Sequence, residues 1–302
     1  MTTKRRRSPS ALFIGLSTLD VIQLVDRVPE ADEKIIALDI SVAAGGPATN
    51  AAVVFAALGG HSTLLTRVST DPVGALVAAD LETQQVTLIN ADSNSSTQTT
   101  VASILVTKST ADRAVISAAD RGRSDERPQE RRYEDLIVSL QPDVVVVDSY
   151  ETDISIPVTR AAAASSIPVI LDCGGKKLYT DQQLRFVTAA VVSERYRSDG
   201  TAAIVKDIHS QGVPFGAITA GSDPITFWTP ASDVDTIPVS AVEAVDTLGA
   251  GDFFHGALAY FIARDGLTGT SFGDALGLAS EVSGLSVQSF GSRSWLTRLP
   301  QL

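Results

Sequence analysis

One cysteine, one methionine and three histidines are all that 302 residues offer to disulfide or soft-metal chemistry. The lone Cys173 excludes an intrachain disulfide framework and a cysteine-rich metal site. His61, His209 and His255 are far apart in the chain and do not give the spacing of a zinc centre. Positive charge is scarce too: 24 Lys and Arg against 35 Asp and Glu leave a formal charge of −11. Such a chain is a poor partner for nucleic acid or an anionic membrane surface. No apolar run reaches the length of a membrane span and the start has no apolar signal core, so a cytoplasmic protein is expected. The one basic cluster, Lys4-Arg5-Arg6-Arg7, reads as a solvated, disordered tip over residues 1–10.

What is present is an α/β rhythm. Ala11 to Gly15 predicts a first strand, and Val21–Val25 and Lys34–Leu38 read as further strands. Ala48 to Leu58 is Ala-rich and helical, with Gly59-Gly60 as its stop. The buried-strand runs at Val144–Val147, Pro168–Leu171, Ala189–Val192 and Phe215–Thr219 alternate with helical stretches. That alternation predicts a Rossmann-like, mostly parallel sheet with helices on both faces. The β-branched material around residues 20–40 and 97–117 breaks the rhythm and predicts a small projecting sheet.

The most informative stretch is Val245-Asp246-Thr247-Leu248-Gly249-Ala250-Gly251-Asp252, followed by small and apolar residues that open a helix. Small residues at a helix N-terminus let backbone N–H groups converge where the macrodipole favours negative charge. Gly249, Ala250 and Gly251 are thus candidates for an anion hole, and Asp252 at its rim for a general base. The plain alternative is an ordinary helix start capped by Asp246 or Thr247. A second site is Gly45-Gly46-Pro47-Ala48-Thr49-Asn50, where glycines admit a ligand close to backbone and Asn50 offers donor and acceptor to hydroxyls. Asp20, a short loop beyond the first strand, stands where ligands bind in open α/β sheets.

Weaker candidates complete the set. Glu194 closes a buried strand, and Thr219 and Gly221 form a turn after another. Arg113, Arg121 and Arg123 bracket an irregular loop and suggest an anionic ligand, although Glu126 and Glu130 beside them favour a solvated loop. His255, within a turn of Asp252, is read as structural.

The Asp-Thr-x-Gly-Ala-Gly-Asp string, the Gly-Gly-x-x-x-Asn element and Ser69-Thr70-Asp71-Pro72-Val73-Gly74 together resemble the ribokinase/PfkB carbohydrate kinases. The last element departs from the family pattern, with Ser69 where glycine is usual. The resemblance implies a ribokinase-like kinase domain over 11–302 with a β-sheet lid, often used for dimerisation. It implies transfer of the γ-phosphoryl of ATP, with Mg²⁺ and a possible monovalent cation, to a primary hydroxyl of a sugar. Carried over, Asp252 is the base, Asp20, Gly45, Gly46 and Asn50 hold the sugar, and Thr219, Gly221 and Thr247 meet the nucleotide. Glu194 would organise the metal through water, although the Asn-x-x-Glu pattern expected there is not kept. The Phe254-His255-Gly256-Ala257 flavour is most similar to the sulfofructose kinase branch, which implies a ketohexose or a 6-substituted, anionic one. Competing readings are a nucleoside kinase and a catalytically silent sugar-binding regulator on the same fold.

Overall fold

A computed structural model of the chain describes residues 7–91, 98–118 and 133–299. Its main sheet has nine strands. In chain order these are β1 (Ser10–Ile14), β4 (His61–Thr66), β5 (Val86–Asn90), β8 (Val144–Val147), β9 (Val169–Cys173), β10 (Ala189–Ser193), β11 (Phe215–Ala220), β12 (Asp223–Thr229) and β13 (Ser232–Ile237). Across the sheet the order is β13-β12-β11-β10-β9-β8-β1-β4-β5, parallel throughout except for the two pairings that involve β12.

The central strands read as continuous apolar runs because both faces are covered. Along β1, Ala11 and Phe13 enter one core while Leu12 and Ile14 enter the other; Val144 and Val146 of β8 part from Val145 and Val147 in the same way. The first core lies under α1 (Pro47–Ala57), α2 (Pro72–Thr83), α7 (Ala250–Asp265) and α8 (Gly269–Ser286). The second lies under α3 (Asp135–Leu140), α4 (Thr152–Ala164), α5 (Thr180–Leu184) and α6 (Thr201–Ser210). Helix α1 is buried from Ala48 to Ala56, wedged between the sheet and α7, and its alanines make that close packing possible.

A second sheet of four strands is ordered β3-β2-β6-β7, with β2 (Thr18–Val25), β3 (Asp39–Gly45), β6 (Val101–Thr107) and β7 (Arg113–Ser117). Its inner face carries Ile22, Ala102, Ile104 and Val106, packed with Leu248 and Phe290. Its outer face leaves Ile40, Val42, Val101 and Ile116 exposed.

Several expectations shift. Lys34–Leu38 is not a strand: the segment has no regular structure, Ile36 is 88% exposed, Leu38 N–H donates to Leu24 O at 2.7 Å, and the ladder with β2 begins at Asp39. Strand β5 had no expectation: at the edge of the sheet only Val86 is fully buried, while Leu88 and Ile89 pack half-buried against opposite cores. Asp20 does not sit in a loop beyond β1; the β-branched run carries straight through it, and it is the third residue of β2, paired with Ala43 and Ala102. The basic tip is shorter than 1–10, since Arg7 pairs with Asp143 and Ser10 already belongs to β1. Asp71, in the turn with the Ser69 departure, caps α2 by accepting from Gly74 N–H at 2.6 Å and also accepts from Thr99 N–H at 3.0 Å.

Candidate active site

Strand β1 has β8 on one side and β4 on the other, and the chain leaves it in opposite directions. Open α/β sheets bind ligands at such a point, beyond the carboxyl ends of the strands. Here Asp148, directly after β8, closes the floor. Its carboxylate accepts from Leu16 N–H at 2.8 Å, Tyr150 N–H at 2.9 Å and Ala48 N–H at 3.4 Å, joining the exits of β1 and β8 to the start of α1. Gly15 is required beside it, because an added Cβ would lie 2.1 Å from that carboxylate. Burial pushes Asp148 up to about 6 against these hydrogen bonds.

The Gly45-Gly46 pair ends β3 and opens α1. Gly46 has φ +95° and passes so close to β1 that a Cβ would meet Leu16 O at 2.3 Å. At Gly45 a Cβ would fall 2.0 Å from the Asp20 carboxylate, so the lid carboxylate lies flat against the glycine backbone. Asp20 accepts from Thr18 Oγ at 2.6 Å; burial raises its pKa, with the Thr18 bond and Arg293 opposing.

Asn50, on the first turn of α1, faces two ways. Its Nδ2 donates to Asp252 Oδ2 at 2.9 Å and its Oδ1 accepts from Arg293 Nη1 at 3.3 Å. Arg293 also donates to Asp80 Oδ2 at 3.1 Å and to Ala44 O at 2.5 Å. This one guanidinium therefore ties the end of β3, helix α2 and Asn50 together.

The signature loop starts α7. Gly249 takes the left-handed conformation at φ +73°, and the first N–H groups of the helix have no acceptor within it. A Cβ on Gly251 would meet nothing within 4 Å, so the space over the helix start is open. Asp246 organises the loop from beneath, accepting from Leu248 N–H at 2.9 Å and Gly291 N–H at 3.0 Å. Asp252 sits between the helix start and the sheet. Desolvation and then the neighbouring Asp172 carboxylate push it up to about 7, opposed by the Asn50 amide and His255. A carboxylate near 7 is matched to general-base work at neutral pH.

Asp20, Gly46, Asn50 and Asp252 line one cavity of about 420 Å³, with Thr18, Ser117 and Tyr150 adding hydroxyls. Leu16, Ala102, Ile104, Val115 and Leu248 make its apolar side. The remaining expected residues lie elsewhere. Arg113 does not line the cavity: it donates to Thr247 Oγ at 2.9 Å, and that hydroxyl donates to Ala111 O at 3.2 Å. Thr247 is thereby bonded to the lid hairpin. Glu194 is exposed at the start of a 3-10 turn after β10, and Ser193 pairs in register with Thr219 of β11. Gly221, at φ +63°, makes the turn out of β11. These three lie on adjacent strand ends, apart from the cavity lining. Arg121 and Arg123 lie outside the described residues.

Sequence reasoning passed over Asp148 and Asp172, although each is an aspartate at or near the carboxyl end of a buried apolar run, where an α/β sheet places its ligands. Besides the adjacent Ser292 O, Arg293 has three partners, Ala44, Asn50 and Asp80, all more than two hundred positions away, and no local pattern announces that joint. Among the described residues no group of three or more His, Cys, Asp or Glu could hold a metal ion, and no helix is long and apolar enough to cross a membrane.

Comparison with known proteins agrees with this geometry. Residues 8–298 match the pfkB family carbohydrate kinases. The chain is 30% identical to an ATP-dependent ribose-1-phosphate kinase of Halopiger xanaduensis, covering 94% of this chain and 93% of that one. It is 25% identical to a ribokinase of Lactococcus lactis, covering 96% and 94%. The structure of Arabidopsis thaliana ribokinase complexed with ribose and ATP superimposes with a TM-score of 0.75 at 22% identity, covering 96% and 98%, and so shares the fold.

Proposed function

The chain belongs to the pfkB family of carbohydrate kinases, and we propose that it phosphorylates a primary hydroxyl of a neutral ketohexose with Asp252 as the base. It is an ATP-dependent sugar kinase; the roles of its residues and the choice of sugar are the proposal. The observation that carries it is the Asn50–Asp252 contact at 2.9 Å beside an open helix start. A hydroxyl placed in the cavity meets a proton acceptor and a row of phosphate-facing N–H groups together.

Asp20, Asn50 and the Gly45-Gly46 backbone orient the sugar, and Asp252 takes the proton of the attacking hydroxyl. The N–H groups of Gly249, Ala250 and Gly251 then stabilise charge on the transferring phosphoryl. The open space beside Gly251, where an added Cβ would meet nothing within 4 Å, supports a phosphate there. With no three-residue metal cluster among the described residues, Mg²⁺ would be held mainly by the ATP phosphates and water, with Glu194 touching that water. When bound it neutralises phosphate charge. Thr219 and Gly221 are assigned to the nucleotide side, on the strand ends next to Glu194.

A neutral sugar is preferred over a 6-anionic one because the charged groups lining the described cavity, Asp20 and Asp252, are both carboxylates. Arg113, which pointed to an anion, is engaged by Thr247. A nucleoside kinase is the second reading, favoured by the apolar lid side made of Ala102, Ile104 and Val115. The test is ATP consumption with Mg²⁺, with and without K⁺, on fructose, ribose, fructose 6-phosphate, 6-deoxy-6-sulfofructose, ribose 1-phosphate and adenosine. Turnover of a neutral ketohexose above the others supports the reading, and selective turnover of an anionic sugar overturns the preference. Silence on every sugar favours a regulator.

The exposed Ile40, Val42, Val101 and Ile116 make the outer lid face apolar, which supports a homodimer through the lid. Light scattering of the wild-type chain against Ile116→Glu tests it, a monomer in both being the contrary result.

A further inference from the structure

One helical turn behind Asp252, the ring of His255 is enclosed by oxygen atoms. Its Nδ1 lies 2.6 Å from Gly251 O and 3.3 Å from Asp172 Oδ2; its Nε2 lies 3.2 Å from Val191 O. His255 is 4% exposed and shut off from bulk water. A carbonyl oxygen only accepts, so each ring nitrogen must carry a proton to bond the carbonyl it faces. Only the doubly protonated imidazolium serves both, and Asp172, on β9, supplies the opposite charge that a buried cation requires.

We propose that His255 and Asp172 form a buried imidazolium–carboxylate pair that acts as a positioning unit for the catalytic base and for the anion hole. This rests on the kinase reading above and goes beyond it, since neither residue lines the sugar cavity. Two physical links connect the pair to the chemistry. Gly251 O and Asp252 N–H belong to one peptide unit, so a charged donor on that oxygen polarises an N–H at the phosphate-facing end of α7. The pair also sets the field at Asp252, where Asp172 raises the carboxyl's proton affinity and the imidazolium lowers it.

Several other groups face this cluster, the buried Cys173 thiol beside Asp172 among them. Asn50 comes from α1, Asp20 from β2, and Lys177, which follows β9, lies within electrostatic reach of Asp172. Asp148, after β8, faces Asp172 and Lys177. Ser283 of α8 donates to Ala250 O at 2.8 Å, fixing the neighbouring carbonyl without charge.

The first test uses the wild-type chain. Nitrogen-15 spectra of its three histidines, assigned with His255→Asn, are expected to show both His255 nitrogens protonated at neutral pH. A neutral ring there overturns the proposal. The second test is the pH profile of kcat/KM with the sugar that the wild-type enzyme turns over. In His255→Asn the acid limb should move up by about one pH unit, with kcat falling roughly tenfold and sugar KM steady. In Asp172→Asn it should move down, and in the double variant return towards wild type. An unmoved limb in folded His255→Asn, or a loss confined to KM, overturns the proposal. If no sugar is turned over by the wild-type chain, the kinase reading fails while the ring spectra still decide the charge pair.

Discussion

Asn50 on α1 and Asp252 on α7 are 202 positions apart in the chain and 2.9 Å apart in space. The bond exists because α7 presses on α1 at Gly256, where an added Cβ would lie 2.3 Å from Ala51 O. Gly256→Ala should force the helices apart, costing about 1–3 kcal/mol of stability. It should also lower kcat roughly tenfold by pulling the amide from the base. Chemical denaturation and steady-state kinetics on one preparation check both.

Asp252→Asn keeps the shape and the Asn50 contact but removes the proton acceptor. Sugar phosphorylation should fall about 10²–10⁴-fold. Stability should rise by on the order of 2 kcal/mol, because a desolvated carboxylate repelled by Asp172 has been replaced by a neutral amide. Calorimetry beside a coupled assay reads both; a variant that keeps its activity removes Asp252 from the base role.

Asp252, near 7, and Asp148, near 6, both lie above the ordinary carboxyl value of 3.8 because the fold buries them. Each binds its proton more tightly folded than unfolded. Its contribution is therefore complete below the unfolded value and is lost as pH rises through the folded one. Unfolding midpoints should fall between about pH 5 and about pH 8, and Asp252→Asn should flatten the upper part of that fall. A wild-type midpoint that rises over this interval would contradict the assignment.

Arg293 serves Asp80, Ala44 O and Asn50 Oδ1 with one planar fork. Lysine cannot bond all three in the same geometry. Arg293→Lys should cost about 1–3 kcal/mol and raise sugar KM several-fold. Arg293→Met, which strands the Asp80 carboxylate, should cost more. Thermal melts and sugar titrations provide the check.

Thr247 links the signature loop to the lid through Arg113 and Ala111 O. Thr247→Val removes both bonds at almost constant volume. The expected outcome is faster hydrolysis of ATP without sugar transfer, relative to phosphorylation, as lid closure weakens and water enters. An unchanged ratio of the two rates argues against this link.

The centre of the main sheet was legible because its strands are buried on both faces, so runs such as Val144–Val147 have no polar residue to confuse them. The proposed anion hole was legible because its residues are four consecutive positions, Gly249 to Asp252, at the start of α7. Lid boundaries were harder. Asp20 sits inside a strand because the lid's inner face is part of the site and tolerates a carboxylate there. Lys34–Leu38 has the composition of a strand but joins no ladder, and pairing is a property of the neighbour. His255, Asp172 and Arg293 act through contacts with distant segments, and periodicity cannot disclose those.

The reach of Arg293 back to Ala44, Asn50 and Asp80 has a temporal meaning during synthesis. The carboxylate of Asp20 and the amide of Asn50 leave the ribosome early, but the guanidinium that locks their surroundings emerges more than two hundred residues later. A nascent chain can assemble its sheet strand by strand and still lack this joint beside the cavity. The joint between the end of β3, helix α2 and Asn50 therefore closes last, after every strand of both sheets has emerged.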